Sequence, residues 1–328
     1  MHKKVNESGV VQLEDELVFV IPVYNDWDSV EKLLLEIGKL LSATCSFSCI
    51  LVNDSSDNDP DLNFFSTLGH MTTIIELSCN LGHQKAIAIG LAYVNKNHPA
   101  NYIVVMDSDG EDRPEDILQL LKRAQTFKGI IFANRSKRSE GPLFRLFYKC
   151  YKLLFSLLTG KKISFGNFCL IPKKYVRKMV HVSDIWNHFS GGIIRSGLPY
   201  ATEATQRGKR YFGESKMNFT RLILHGFSSV SVYADFMAMR LMILSFFLIG
   251  VTFTGIIVVA LIRFLTDLAV PGWATFTVLG LGILLFLALF LAFFLLFNVL
   301  SLKTQKAVIP ARDYVDYIVE LKHFNPNE

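Results

Sequence analysis

Cysteine is scarce in this chain. Its five residues, Cys45, Cys49, Cys79, Cys150 and Cys169, are odd in number, scattered, and form no CxxC pair. That argues against a disulfide framework or a structural zinc site and leaves the reduced thiols of a cytosolic domain. No Walker loop and no GxGxxG occurs, so ATPase and dehydrogenase readings lack their phosphate cradle. No Ser/His/Asp triad is evident. Residues 1–16 form a polar tail carrying Glu14, Asp15 and Glu16, with no apolar signal-peptide core. The globular part is therefore expected to stay in the cytoplasm. The formal net charge is only +5. So small a charge does not point to nucleic acid, and basic residues beside apolar segments suit anionic lipid better.

Charge is absent altogether from two long stretches. Hydrophobic residues make up 51% of the chain, and the excess collects after Arg240. Leu241–Ile262 is uncharged between Arg240 and Arg263, and Ala274–Leu302 is uncharged up to Lys303 and Lys306. About 22 helical residues span ~33 Å, which matches a bilayer core. The short connection, with Pro271 and Gly272, predicts a two-helix hairpin over 237–302, with spans at about 241–262 and 275–301. Lys303, Lys306, Arg312, Arg240 and Arg221 outweigh Arg263, which Asp267 offsets. The positive-inside rule then puts both termini in the cytoplasm. Two more segments read as interfacial helices. In 142–160, Arg145, Lys149 and Lys152 share one face of an otherwise apolar helix, and 217–236 is similar with Arg221 and His225. Packing of each on the soluble core is the alternative. Residues 303–328 read as a cytoplasmic tail.

The front, 17–216, alternates strand and helix patterns. Strands are expected at Leu17–Pro22, Ser48–Asn53, Thr72–Leu77, Tyr102–Met106 and Gly129–Ala133. Helices are expected at Ser29–Leu41, Gly82–Asn95 and Pro114–Thr126. This rhythm predicts an open α/β sheet, largely parallel. Ligands of such sheets bind beyond the carboxyl ends of the strands. Tyr24, Asn25, Asp54, Asn80, Asp107 and Asp109 all sit at those ends.

Asp107-Ser108-Asp109 follows Ile103-Val104-Val105, and carboxylates at i and i+2 of extended chain project to one side. Hard oxygens there suit Mg²⁺ or Mn²⁺ held together with a diphosphate. Asp54 ends its strand in the same way and suits a base N–H, against the plainer reading of a cap or turn residue. Arg135, Arg138, Arg207, Arg210 and Lys216 are candidates for phosphate contact. A phosphate acceptor, with its second pKa near ~6, is already anionic at neutral pH and needs no strong base. His83 and His188 read first as structural histidines.

Several pieces in order resemble glycosyltransferase family 2, specifically its polyprenyl-phosphate glycosyltransferases. They are Val20-Ile21-Pro22-Val23-Tyr24-Asn25, Val52-Asn53-Asp54-Ser55-Ser56 and Asn80-Leu81-Gly82-His83-Gln84-Lys85. Asp107-Ser108-Asp109, Arg135 with Arg138, Phe165-Gly166-Asn167-Phe168, Gly213-Glu214-Ser215-Lys216 and the hairpin complete the set. The resemblance implies a GT-A (Rossmann-like) nucleotide-sugar domain and inverting, metal-dependent transfer of a hexose to undecaprenyl or dolichyl phosphate. It favours a UDP-hexose over GDP-mannose, and a bacterial inner membrane over endoplasmic reticulum. It implies donor binding by Pro22, Tyr24, Asn25, Asp54, Lys85 and Asp107. Metal falls to Asp109 and Asp107, catalysis to Asp107, Asp109, Arg135 and Arg138, and acceptor phosphate to Arg210 and Lys216. Glu111 stands where relatives often have Gln, and Asn187-His188 where they often have an acid. Two alternatives are a processive polysaccharide synthase, for which a QxxRW motif is missing, and a degenerate membrane subunit of the same fold. The oligomeric state, homo-oligomer included, stays open.

Overall fold

The computed structural model describes residues 4–5, 11–12, 16–42, 44–135, 156–157, 160, 166–213, 231–266 and 272–326. The chain divides into two compact units. One comprises residues 1–142, 163–232 and 307–328, the other residues 143–162 and 233–306.

The first unit is built on strands β1 (Leu17–Val23), β2 (Phe47–Asn53), β3 (Met71–Leu77), β4 (Tyr102–Val105), β5 (Ile130–Arg135), β6 (Cys169–Pro172), β7 (Tyr200–Thr205) and β8 (Ile318–Phe324). They form one sheet in the order β8-β3-β2-β1-β4-β6-β5-β7. β1 pairs in parallel with β2 and β4, β2 with β3, and β5 with β7. β8 on β3, and β6 between β4 and β5, are antiparallel. The sheet is thus mixed, where the sequence rhythm predicts a largely parallel one. No strand–helix alternation in the sequence announces β6, β7 or β8.

β1 is buried along its whole length, as a central strand covered on both faces must be. Its residues alternate between two apolar layers. Val18 and Val20 join the layer under helix α3 (His83–Asn97), while Leu17, Phe19, Ile21 and Val23 join that under α1 (Trp27–Leu41) and α4 (Pro114–Thr126). Between α1 and α3 lies the short α2 (Leu62–Ser66). α1 turns Val30, Leu33, Leu34, Ile37 and Leu41 inward at helical spacing. α4 opens with Pro114 at its first position and Glu115 and Asp116 in its first turn, a start that suits the helix dipole. α3 lies close on the sheet because it carries Gly90 there. A Cβ at Gly90 would stand 2.5 Å from Val20 Cγ1 and 2.9 Å from Val52 Cγ2. Helices α5 (Lys173–Met179) and α6 (Phe189–Arg195) follow β6.

From Ala307, the stretch expected as a C-terminal tail is part of this unit instead. After α9 (Pro310–Asp313), numbered past the two long helices below, β8 pairs with β3 in register from Leu321↔Ile75 to Phe324↔Thr72. The Phe324 ring lies 5.5 Å from that of Phe65, Tyr317 lies 5.0 Å from Trp186, and Lys322 pairs with Glu76 at 3.2 Å. Aromatic packing at both ends of the strand holds it there.

The second unit contains α7 (Ala234–Leu265) and α8 (Trp273–Thr304), both long and apolar enough to cross a membrane. Each runs beyond the bounds that the uncharged stretches set. α7 buries Ala238, Ser245, Thr252 and Val259, one residue every seven, and α8 buries Ala288 and Ala292. This is a small-residue seam of the kind that lets apolar helices approach closely in lipid. Ser245 and Thr252 donate their hydroxyls to Leu241 O and Leu248 O, 2.9 and 2.8 Å away, so the seam hides no unsatisfied polar group. The outer faces carry exposed Phe246, Phe247, Phe286 and Phe297. An apolar surface of that extent requires a non-aqueous neighbour. The stretches read as interfacial helices, 142–160 and 217–236, lie mostly outside the described residues, and the last three residues of the second belong to α7.

Candidate active site

β1, β2 and β4 are parallel neighbours, so the loops that follow them leave one edge of the sheet together. The chain winds outward from β1 through β2 to β3 on one side and reaches β4 on the other. The gap between β1 and β4 is therefore the topological switch point at which open α/β sheets hold ligands. Pro22 marks it. The β1–β4 ladder ends at Val20↔Val105, and Met106 N–H donates to Val20 O at 3.3 Å. Residue 22 points to the side β4 has just left, so its missing N–H costs no ladder bond.

The loops after β1 and β2 are laced to each other. Asn25 adopts φ +52° and Ser55 φ +59°, left-handed values that Asn tolerates best. Asn25 N–H donates to Ser56 Oγ at 2.9 Å, its Nδ2 donates to Asp57 at 2.7 Å, and its Oδ1 accepts from Asp57 N–H at 2.7 Å. Tyr24 stands beside this lacing, 43% exposed. Asp54 is buried and spends both oxygens on backbone. Oδ1 accepts from Leu81 N–H at 2.7 Å and Oδ2 from Gly82 N–H at 2.9 Å. Burial raises its pKa, while those two donors, His83 and Lys85 pull it back. Asp54 thus fixes the turn that launches α3, where Gly82 takes φ +94°. Lys85, in the first turn, lies 5.8 Å from the Trp186 ring.

The carboxylates at the end of β4 are crowded. Asp107 N–H donates to Asp112 Oδ2 at 3.0 Å, and Asp107 Oδ1 lies 3.2 Å from His83 Nε2. Burial works against the His83 cation, but Asp107, Asp112 and Asp54 outweigh it and its pKa rises. Asn167 Nδ2 is 3.0 Å from the same ring nitrogen. Asp109 Oδ1 accepts from Glu111 N–H at 3.0 Å. Burial, then the Asp107 charge, pushes the Asp109 pKa up to about 6, against the pull of that N–H and of Arg210. Even with His83 beside Asp107 and Arg210 beside Asp109, the charge on Asp109 stays disfavoured. Oxygen donors in that state fit a hard divalent cation whose remaining ligands come from a diphosphate. Among the described residues no third acidic, His or Cys ligand completes a metal cluster.

A strap over residues 206–213 crosses this turn. Gly208 N–H donates to Glu111 O and Tyr211 N–H to Asp109 O, each at 2.9 Å. The approach is close enough that a Cβ on Gly208 would fall 2.2 Å from Gly110 O. Tyr211 Oη donates to Glu36, whose carboxylate joins burial in raising the phenol pKa, and Lys32 Nζ lies 4.5 Å from the same ring. Arg207 pairs with Glu111 at 2.5 Å. Arg210 reaches Asp109 Oδ2 and Asp26 Oδ2, each at 3.3 Å.

Most of the residues chosen from sequence converge here, namely Tyr24, Asn25, Asp54, Lys85, Asp107, Asp109 and Arg210. Arg135 is the last residue of β5, while Arg138 and Lys216 lie outside the described residues. His188 caps α6 by accepting from Gly191 N–H at 3.0 Å, and exposed Asn187 ends the preceding turn. His83 belongs to the site rather than to the core. Asp26, Asp112 and Glu36 were not legible in advance, though Asp26 is adjacent to Tyr24-Asn25. The sequence singles out Asn167 only as part of the motif Phe165-Gly166-Asn167-Phe168, with no role.

This sheet, with its carboxylates at the switch point, is a GT-A fold of the glycosyltransferases. Residues 18–192 match Glycosyl transferase family 2, and the chain belongs to that family. It is 25% identical over 272 residues to the uncharacterized glycosyltransferase YkcC of Bacillus subtilis, covering 80% of this chain and 82% of that one. It is 27% identical over 217 residues to an undecaprenyl-phosphate 4-deoxy-4-formamido-L-arabinose transferase of Salmonella paratyphi A, covering 62% of this chain and 63% of the relative. Among solved structures, glucosyl-3-phosphoglycerate synthase from Mycobacterium tuberculosis, in complex with Mn²⁺, UDP-glucose and phosphoglyceric acid, has a similar fold. The TM-score is 0.51 at 12% identity, over 68% of this chain and 80% of that one.

Proposed function

We propose that this glycosyltransferase moves a hexose, with inversion, from a nucleotide-sugar to a polyprenyl phosphate at the cytoplasmic face of a membrane. The observation that carries this reading is the Asp107–Asp109 pair of carboxylates at the switch point, in a chain that also holds a hairpin of membrane-spanning length. The Salmonella relative supports the lipid phosphate acceptor by its name, and the Mycobacterium neighbour supports a UDP-sugar and a divalent cation by its bound ligands. UDP-hexose is favoured over GDP-mannose on these grounds.

Asp107 and Asp109 would hold Mg²⁺ or Mn²⁺, which supplies positive charge against the departing diphosphate. Pro22, Tyr24, Asn25 and the turn fixed by Asp54 shape the pocket for the nucleotide, and Lys85 adds a cation to its rim. An oxygen of the acceptor phosphate attacks the anomeric carbon as the bond to the nucleoside diphosphate breaks. The products are a glycosyl polyprenyl phosphate and the free nucleoside diphosphate. The attacking oxygen is already anionic, so the chain aligns two substrates and offsets their charge rather than removing a proton. Arg135, Arg138, Arg210 and Lys216 are the cations for that task, the last two on the acceptor side. The hairpin keeps the lipid and the site on one molecule.

The test is incubation of the purified full chain with polyprenyl phosphate and a panel of UDP- and GDP-sugars, followed by extraction of glycolipid. One donor is expected to yield a product that is stable to base and cleaved by mild acid. Donor hydrolysis without glycolipid, across the panel, sinks the acceptor assignment.

A further inference from the structure

We propose that Arg210 stands in for the divalent cation when the donor is absent, bridging Asp109 and Asp26, and that arrival of donor and cation frees it from Asp109 while Asp26 retains it for the acceptor phosphate. The proposal rests on the metal reading above.

The geometry divides the labour. Two different terminal nitrogens of Arg210 are engaged, Nη1 with Asp109 Oδ2 and Nη2 with Asp26 Oδ2, each at 3.3 Å. Asp109 Oδ1 is committed to Glu111 N–H, so Oδ2 is the oxygen over which guanidinium and metal compete. A divalent ion also draws on Asp107 and on diphosphate oxygens, so it wins that competition once the nucleotide supplies those ligands. Asp26 has partners besides Arg210, one on α1 and one in the turn between the two carboxylates. It accepts from Ser29 Oγ at 2.7 Å and from Ser108 Oγ at 3.4 Å. The strap does not depend on the guanidinium either. Its backbone is held by Gly208 N–H and Tyr211 N–H, and Tyr211 Oη is anchored on Glu36 of α1. Arg210 Nε donates to Phe212 O at 3.0 Å, within the strap itself. The head group can therefore change partners while the loop stays in place. The consequence is an order of events, in which the cation facing the lipid phosphate becomes available only after the donor has loaded.

The test reads metal binding directly, by the electron paramagnetic resonance of free Mn²⁺ titrated into the full chain in detergent. Without nucleotide, Arg210→Gln is expected to bind Mn²⁺ about tenfold or more tightly than wild type, the scale of one charge-assisted contact. Arg210→Lys, which restores the charge, is expected to return to weak binding. With UDP or GDP present the difference should shrink. Equal nucleotide-free affinity in wild type and Arg210→Gln, with both taking up Mn²⁺ when nucleotide is added, overturns the proposal and leaves the metal reading intact. Tight binding by Arg210→Lys as well as Arg210→Gln overturns it too. Uptake by neither protein under any condition removes the metal reading and the proposal together. Asp26→Asn provides a second arm, since it should raise KM for polyprenyl phosphate and leave KM for the nucleotide-sugar near wild type. An unchanged acceptor KM counts against the role given to Asp26.

Discussion

Asp109 is held in a conflict between fold and function. Its pKa of about 6 lies above the ordinary carboxylate value because burial and Asp107 disfavour its charge. A folded-state pKa raised above the unfolded one gives stability that is present at low pH and is lost as pH rises through about 6. In EDTA, wild type should therefore unfold at lower temperature at pH 7.5 than at pH 5.5, by roughly 2–4 °C for each ~1 kcal/mol. Asp109→Asn, which never ionises, should be at least as stable as wild type at pH 7.5, with an advantage that shrinks as pH falls below about 6 and is gone only below the ordinary carboxylate value of 3.8. It should also lose most turnover, and Mn²⁺ should fail to rescue it. Thermal unfolding at the two pH values checks the first statement and steady-state assays the second. A flat Asp109→Asn minus wild-type difference across that range would remove the conflict. Asp54 makes the converse case. Asp54→Ala strips the acceptor from two backbone donors at once, a loss on the order of 1–3 kcal/mol for each buried group left unsatisfied. Nucleotide binding measured without lipid should weaken, while KM for polyprenyl phosphate stays near normal.

Among the elements, α3 makes the sharpest demand on a single side chain. Gly90→Ala in an exposed helix gains about 1 kcal/mol from propensity. Here the added methyl meets Val20 and Val52 on the two central strands, and overpacking of that kind costs roughly 1–3 kcal/mol. Gly90→Ala is therefore expected to lower the denaturation midpoint, and a raised midpoint would contradict the close seating of α3. The central elements were legible because their signals are local. β1, β2 and β4 are apolar runs that end in polar turns, and α4 begins at its proline, Pro114. What was not legible depends on distant partners. β8 reads as a mixed Ile-Val-Glu-Leu-Lys-His-Phe segment and becomes a strand because β3 offers an edge, Phe65 a ring and Glu76 a charge. The same holds in the site. The Asp107–Asp109 spacing announces itself, whereas Asp26 and Glu36 acquire their parts only when the strap over 206–213 folds across them. His83 looked structural because nothing in its neighbourhood in sequence is acidic, and its acidic partners come from β2 and β4.

On the scale of the whole molecule, the chain leaves the sheet unit after Val232, passes through α7 and α8, and re-enters that unit at Ala307. Two spans would return the chain to the side it left, as pairing of β8 with β3 requires. Labelling of Gly272→Cys and Lys306→Cys, in a background without Cys79, is expected to come from opposite sides of the membrane. Labelling of both from one side would overturn the hairpin. The late position of β8 also bears on how the protein is made. A ribosome delivers β1 to β7 before either apolar helix and β8 after both, so the edge of β3 remains open until the hairpin has emerged. An open edge of this kind invites pairing with the wrong chain. Completion of the globular unit is thus tied to synthesis through the membrane segment, and a shortened chain ending at Val232 is expected to aggregate rather than to yield a soluble enzyme.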